Sequence, residues 1–134
     1  MIYAVIDTNV FVSAFFTGNP NSATTQVVDK LAHGKFVILY NEEILSEYED
    51  VLSREYFHIS EARRETLFAY IRKNGVFATR TTFDNLFIDE DDRVFYEVML
   101  SEDESFLVTG NLKHFPITPR VVTPAQMLEI LEKE

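Results

Sequence analysis

Acidic side chains at three separated points of the sequence have the arrangement expected of a metal-assisted hydrolytic site. Asp7 ends a short apolar run, Glu47 lies at the margin of an apolar helical stripe, and Asp92 closes the acidic run 89–92. In a parallel α/β sheet, ligands bind at the carboxyl edge of the strands, where loops and helix N-termini converge. Mg²⁺ and Mn²⁺ prefer oxygen ligands, and metal-assisted phosphodiester cleavage needs carboxylates to hold them. Acids gathered at one such edge therefore indicate a hydrolase.

Each acid also has a purely structural interpretation. Asp7 can cap the helix that follows it, which contributes about 1 kcal/mol, and Glu47 can simply be solvated. Acids in the run 89–92 stabilise a helix N-terminus by about 0.3–1 kcal/mol each, with Asp89 as the expected cap and Asp92 reaching back across the first turn. Taken singly, Asp7 is balanced between the two interpretations and Glu47 favours the structural one. The functional hypothesis depends on all three acids meeting at one edge.

Composition restricts the class of protein. The chain has 134 residues, of which 46% are hydrophobic, so residues 1–134 are expected to form a single domain around one core. The absence of cysteine excludes disulfides, zinc-thiolate sites and cysteine nucleophiles, and it suits a reducing, cytoplasmic compartment. Neither a signal-peptide pattern nor a membrane-span pattern is found. The net charge of −10 opposes nucleic-acid binding, unless a basic patch or bound cations reverse the local field.

Hydrophobic periodicity and turn residues predict that strands and helices alternate along the chain. The expected strands are Ile2–Ile6, Phe36–Tyr40, Val76–Thr79, Ser105–Val108 and Arg120–Val122. The expected helices are Val10–Phe16, Ser22–His33, Asn41–Arg54, Ser60–Asn74, a helix that begins at Asp89, and Thr123–Leu131. This alternation predicts an α/β fold in which a mostly parallel central sheet is covered by helices on both faces, giving three layers.

Four segments stand in a recognisable order along the chain. They are Val5-Ile6-Asp7-Thr8-Asn9-Val10, Ile44-Leu45-Ser46-Glu47-Tyr48 with Val51-Leu52, Asp89-Glu90-Asp91-Asp92 before Val94-Phe95, and Leu107-Val108-Thr109-Gly110-Asn111. This ordered set covers nearly the whole chain and resembles the PIN-domain nucleases, more closely the branch of toxin components of toxin–antitoxin pairs. The resemblance implies a PIN-like domain in which Asp7, Glu47 and Asp92 bind the metal, with Asn9 and Thr109 as polar support.

The same resemblance implies a metal-dependent endoribonuclease that hydrolyses RNA phosphodiester bonds with Mg²⁺ or Mn²⁺. It further implies a small antitoxin protein as partner and makes a homodimer plausible. Three basic residues flank the proposed edge as candidates for phosphate contact: Arg93, Lys113 and His114. Lys113 is the first choice, because Arg93 can equally pair with a nearby helical acid and His114 can pack in the loop.

Asn111 departs from the family pattern, in which many members have an aspartate at this position. An asparagine can offer a carbonyl oxygen to the site or orient a water, but it holds a second metal less well. Alternatively, Asn111 is only a turn residue after Gly110. The substitution and the acidic surface support a second hypothesis, a catalytically weak or inactive PIN-like module that binds RNA or a protein.

Other interpretations are less favoured. Haloacid-dehalogenase-type phosphatases need Asp-x-Asp, and Asn9 replaces the second acid here. Receiver domains carry their phosphoacceptor well inside the chain, after an acidic pair, so Asp7 comes too early. Several aromatic residues occur at helical or strand spacing and are expected as core or dimer contacts in preference to base-stacking platforms: Phe15, Phe16, Phe68, Tyr70 and Phe77.

Overall fold

A five-stranded parallel sheet forms the centre of the computed structural model, which describes all 134 residues. The strands are β1 (Tyr3–Ile6), β2 (Val37–Tyr40), β3 (Val76–Phe77), β4 (Phe106–Val108) and β5 (Val121–Val122). They lie in the order β3-β2-β1-β4-β5, and every neighbouring pair is parallel. The chain therefore builds outward from β1 in one direction and then returns to build on the other side of it. Such a reversal creates a crevice at the carboxyl ends of the central strands.

Six α-helices flank the sheet and confirm the predicted three-layer α/β fold. They are α1 (Thr8–Thr17), α2 (Ala23–Ala32), α3 (Glu42–Leu52), α4 (Glu61–Asn74), α5 (Arg93–Leu100) and α6 (Pro124–Glu132). Short 3₁₀ turns occupy Glu55–Phe57, Glu90–Asp92 and Leu112–His114. No helix combines the length and the hydrophobicity that a membrane crossing requires.

The start of α5 differs from the prediction of a helix that begins at Asp89. The Asp89 side chain accepts a hydrogen bond of 2.9 Å from the backbone N–H of Asp91, which closes a tight turn. Residues 90–92 consequently form a 3₁₀ turn, and the α-helix begins at Arg93. Local side-chain bonding by aspartate competes with helical hydrogen bonding, which explains the shift.

Buried apolar side chains fill both faces of the sheet. Ala4, Val5 and Ile6 of β1 are at most 1% exposed, as expected for a strand covered on both faces. Tyr48 of α3 is fully buried, and its hydroxyl donates a hydrogen bond to the backbone carbonyl of Ile6. This bond fixes α3 against the last residue of β1, immediately before Asp7.

Candidate active site

Asp7 begins the site at the carboxyl end of β1. Its backbone lies at the N-cap position of α1, but its side chain makes no capping hydrogen bond. Instead, Asp7 Oδ2 accepts a hydrogen bond of 2.8 Å from Thr109 Oγ1 and one of 3.2 Å from Asn9 Nδ2. The side chain is almost completely buried. Helix capping therefore does not account for the aspartate at this position.

The loop after β4 is tied to the loop after β1 by a second set of contacts. Asn9 Oδ1 accepts a hydrogen bond of 3.1 Å from the backbone N–H of Gly110. A Cβ atom at Gly110 would lie 3.4 Å from the same Asn9 oxygen, which is an ordinary van der Waals distance. The backbone N–H of Asn111 donates to Thr109 Oγ1 at 3.0 Å. These bonds hold Asn9, Thr109 and Asn111 around the Asp7 carboxylate.

A cavity of about 390 Å³ opens in front of Asp7. The acids predicted from the sequence, Asp7, Glu47 and Asp92, all line it. Asn9 and Asn111 line it as well, whereas Thr109 is fully buried behind Asp7. The structure thus brings the predicted residues together, and their roles in a reaction stay a prediction.

Glu47 and Asp92 reach the cavity from different elements. Glu47 lies on α3, on the same helical face as Val51, and both contribute to the cavity wall. Asp92 ends the 3₁₀ turn before α5, and its Oδ2 lies 3.2 Å from Nδ1 of His114. His114 also lines the cavity, so its contact with Asp92 lies at the cavity wall.

The basic residues considered for phosphate contact occupy different surroundings. Arg93 is engaged by the Glu90 carboxylate and by the backbone carbonyls of Phe83 and Asn85, so its guanidinium is directed away from the site. Lys113 is exposed and does not line the cavity. His114 lines it, so the imidazole is the only one of these three groups in the cavity wall.

The acids raise one another's pKa. Burial raises the pKa of Asp7 to about 6 from an ordinary value of 3.8, the hydrogen bond from Thr109 opposes this shift, and the charge of Asp92 adds to it. The pKa of Glu47 is raised by burial and by the charge of Asp91. The pKa of Asp92 is raised by burial and by Asp89, and its contact with His114 works in the opposite direction. Such mutual repulsion costs stability until a cation compensates it.

The lining side chains have the ligand chemistry of a site for a hard, oxygen-preferring divalent cation. The lining acids offer only oxygen ligands, as Mg²⁺ and Mn²⁺ require, and no lysine or arginine forms an ion pair with Asp7, Glu47 or Asp92. Thr8 also lines the cavity. Its buried Oγ1 has no hydrogen-bond partner, so this polar atom is left unsatisfied. No three acidic or histidine side chains already form a closed metal centre, so the acids line a shared cavity without converging on one point.

Thr8 and Arg54 are polar residues of the cavity wall that were not identified as site residues from the sequence. Thr8 was missed because a threonine after a strand-terminal aspartate looks like an ordinary first helical residue. Arg54 also lines the cavity, but it lies two residues beyond the end of α3 with an extended backbone, so helical spacing could not have identified it. Arg54 pairs with Asp50 at 3.3 Å, with more than half of its side chain exposed.

Comparison with known proteins gives two results. A family model described as PIN domain matches residues 3–113, which include Asp7, Glu47, Asp92, Thr109 and Asn111 but not His114. An uncharacterized protein of Methanocaldococcus jannaschii, MJ1680, is 31% identical over 148 aligned positions. The alignment covers 98% of this chain and 93% of the archaeal protein, so the similarity extends over the whole domain.

Proposed function

The chain belongs to the PIN-domain family, whose members are in general metal-dependent nucleases, and on this basis we propose that it is an endoribonuclease that uses Mg²⁺ or Mn²⁺. The observation that supports the proposal most strongly is that three acids, Asp7, Glu47 and Asp92, line one cavity. Acids that raise one another's pKa and form no direct ion pair with a lysine or arginine are costly to a fold that has no use for them, although the charge of Arg54 partly offsets the raised pKa of Glu47.

In the proposed reaction, Asp7, Glu47 and Asp92 hold the cation. A bound divalent ion supplies Lewis-acid polarisation of the phosphoryl group and makes water a stronger nucleophile at neutral pH. Thr109 and Asn9 orient the Asp7 carboxylate through the hydrogen bonds that they donate to its Oδ2. His114 does the same for Asp92. The products carry a 5′-phosphate and a 3′-hydroxyl.

Asn111 favours a site that binds fewer cations than one with a fourth acid. It lies in the cavity wall, and its side chain makes no hydrogen bond that would cap the turn that follows. The amide is therefore free to contribute a carbonyl oxygen or to orient a water. The same residue supports the alternative function, a PIN-like module with little or no catalysis that binds RNA or a protein.

We further propose that the chain acts as the toxin of a toxin–antitoxin pair. Support comes from the resemblance of its ordered motifs to that branch of the family. The expected partners are a small antitoxin protein and a second copy of the chain. Induced expression of the wild type is then expected to arrest growth, and expression of Asp7→Asn is expected to be harmless.

Cleavage of labelled structured and unstructured RNAs tests the proposal directly. Wild type and Asp7→Asn are compared with Mg²⁺, with Mn²⁺ and with a chelator, and Asp103→Asn serves as a matched acid at the opposite end of the sheet, before β4. The expected result is metal-dependent cutting that Asp7→Asn abolishes and Asp103→Asn retains. RNA binding without any cutting by the wild type would instead favour the binding module.

A further inference from the structure

A cluster of aromatic residues stands at one end of the candidate active site. It consists of Phe16 at the end of α1 and of Tyr56 and Phe57 in the 3₁₀ turn after α3. The rings of Phe16 and Tyr56 are parallel to within 5°, with centroids 5.8 Å apart. Phe57 meets both rings edge-on. We refer to these three residues as the aromatic shelf.

The shelf is unusually exposed for its size. Tyr56 is 74% exposed and Phe16 is 48% exposed. The spacing of Phe16 predicted a core or dimer contact; its exposure excludes the core role, and its ring packs against Tyr56 and Phe57 at the surface. Large rings held in a fixed stack and open to solvent are typical of surfaces that bind a ligand.

The shelf continues the wall of the cavity that contains the acids. Phe57 itself lines this cavity, beside Arg54. On α1, Asn9 and Val12 line the cavity and Phe16 follows on the same helical face. On α3, Glu47 and Val51 lie one turn apart on the face that lines the cavity, and Arg54 and Phe57 continue the wall from the turn that follows the helix. Helices α1 and α3, together with this turn, form the sides of one groove that runs from the carboxylates to the shelf.

The length of the groove suits a nucleic-acid strand. Asn9 and Phe16 are seven residues apart on α1, which corresponds to about 10 Å along the helix axis. A strand whose phosphate lies at the carboxylates therefore reaches the shelf within a few nucleotides. Arg54 stands between the two points and is the only lysine or arginine in the cavity wall, where it can contact a phosphate.

We propose that the aromatic shelf stacks an unpaired base of a single-stranded RNA whose backbone enters the carboxylate cavity past Arg54. Base stacking on aromatic side chains tolerates any sequence, because every base has a π-face, and it requires that the base be unpaired. Stacking also supplies affinity that does not depend on charge. This is needed in a chain of net charge −10, whose overall field repels phosphates. The inference rests on the proposed nuclease function and names its substrate class.

A fluorescence binding experiment without metal separates stacking from cleavage. The probe is a short single-stranded RNA that carries one 2-aminopurine, and the same RNA annealed to its complement is the duplex comparison. The protein is the full chain in the presence of a chelator. Wild type is expected to bind the single strand and to quench the 2-aminopurine emission, and to bind the duplex more weakly.

Substitutions at Tyr56 identify the stacking ring. Tyr56→Leu keeps apolar area but removes the π-face, and it is expected to weaken single-strand binding by at least about fivefold and to abolish the quenching. Tyr56→Phe is expected to retain both. Phe77→Ala removes a different exposed aromatic ring, on β3 at the sheet edge, and is expected to bind like wild type.

The results distinguish failure of this inference from failure of the proposed function. Metal-dependent RNA cleavage with an unchanged KM in Tyr56→Leu would overturn the stacking proposal and leave the nuclease intact. A dimer in sedimentation that Tyr56→Leu dissociates, with no change in RNA binding, would show that the shelf is a contact between copies and would also overturn it. A wild type that binds the strand and quenches the probe but never cleaves RNA would refute the nuclease while supporting the stacking site.

Discussion

Thr109 and Asp7 are 102 positions apart in the sequence, yet Thr109 Oγ1 donates a hydrogen bond of 2.8 Å to Asp7 Oδ2 in the interior of the protein. The contact exists because β1 and β4 are parallel neighbours, and Ile6 is paired with Val108. The residue after each strand therefore lies at the same edge of the sheet. Of the interactions that lower the pKa of Asp7, this bond is the largest.

Thr109→Val is expected to raise the pKa of Asp7 further above its present value of about 6. A hydrogen bond to a charged group contributes about 1.5–3 kcal/mol, so its loss should shift the pKa upward by about one unit or more. The cation requires the ionised carboxylate. As the pH is lowered, nuclease activity should therefore be lost at a higher pH in Thr109→Val than in wild type. The pH profile of RNA cleavage measures this shift. Thr109→Ser keeps the hydroxyl and should retain the wild-type profile, and an unshifted profile in Thr109→Val would contradict the role of the bond.

Asp7 is expected to destabilise the metal-free protein at neutral pH. Its pKa in the folded state, about 6, lies above its ordinary value of 3.8, so the folded state binds the proton more tightly than the unfolded state does. As the pH rises from about 4 to above 6, the free energy of unfolding therefore falls, and Asp7 accounts for up to about 3 kcal/mol of this fall. Asp7→Asn should consequently be more stable than wild type above about pH 7, and the difference should shrink toward pH 4. Denaturant unfolding in a chelator at several pH values gives the difference, and the exposed substitution Asp103→Asn should leave stability unchanged at all of them.

Divalent cations are expected to stabilise the folded protein, because they compensate the repulsion among the acids. A ligand that binds only the folded state at a hundredfold excess over its Kd contributes about 2.7 kcal/mol. The melting temperature of the wild type should therefore rise by several degrees with millimolar Mn²⁺, as thermal unfolding followed by circular dichroism would detect. Asp92→Asn should reduce the shift, while Asp103→Asn should preserve it. An unchanged melting temperature in the wild type would count against a metal site at this edge.

The sequence was sufficient to predict most of the fold because strands and helices differ in hydrophobic period. The same hydrophobic pattern placed Asp7 and Thr109 directly after predicted strands. What the sequence could not supply is the lateral order of the strands, since the pairing of β1 with β4 is a contact between distant segments. The start of α5 was placed too early because the side chain of Asp89 bonds locally and tightens the turn. The strand order thus depends on tertiary contacts, whereas the start of α5 depends on a local side-chain hydrogen bond.

Exposure was the other property that sequence could not reveal. Phe16 has the spacing of a helix residue, and spacing alone does not show whether a neighbouring element covers it. In the structure the Phe16 ring packs against Tyr56 and Phe57 of the turn after α3, and about half of it stays exposed at the surface. Likewise, the pairing of Arg93 with Glu90 and two backbone carbonyls depends on how residues 83–85 fold back onto α5.

Glu97 is expected to hold the segment that carries Asp92, although it lies outside the cavity. It is buried, its Oε1 accepts a hydrogen bond of 2.8 Å from Arg80 Nε, and its Oε2 accepts one of 2.9 Å from the backbone N–H of Phe83. Glu97→Gln removes the charge that pairs with Arg80 and should lower the free energy of unfolding by about 2–4 kcal/mol.

The loss should be concentrated in residues 78–92, which Glu97 fastens to α5. Amide hydrogen exchange is therefore expected to accelerate at Phe83 in Glu97→Gln, and RNA cleavage should decrease because the turn that presents Asp92 is less firmly held. Glu132→Gln replaces an exposed glutamate at the end of α6 and should change neither property. Equal loss of protection throughout the chain in Glu97→Gln would show a global destabilisation instead, and the specific role of Glu97 in positioning this segment would then be wrong.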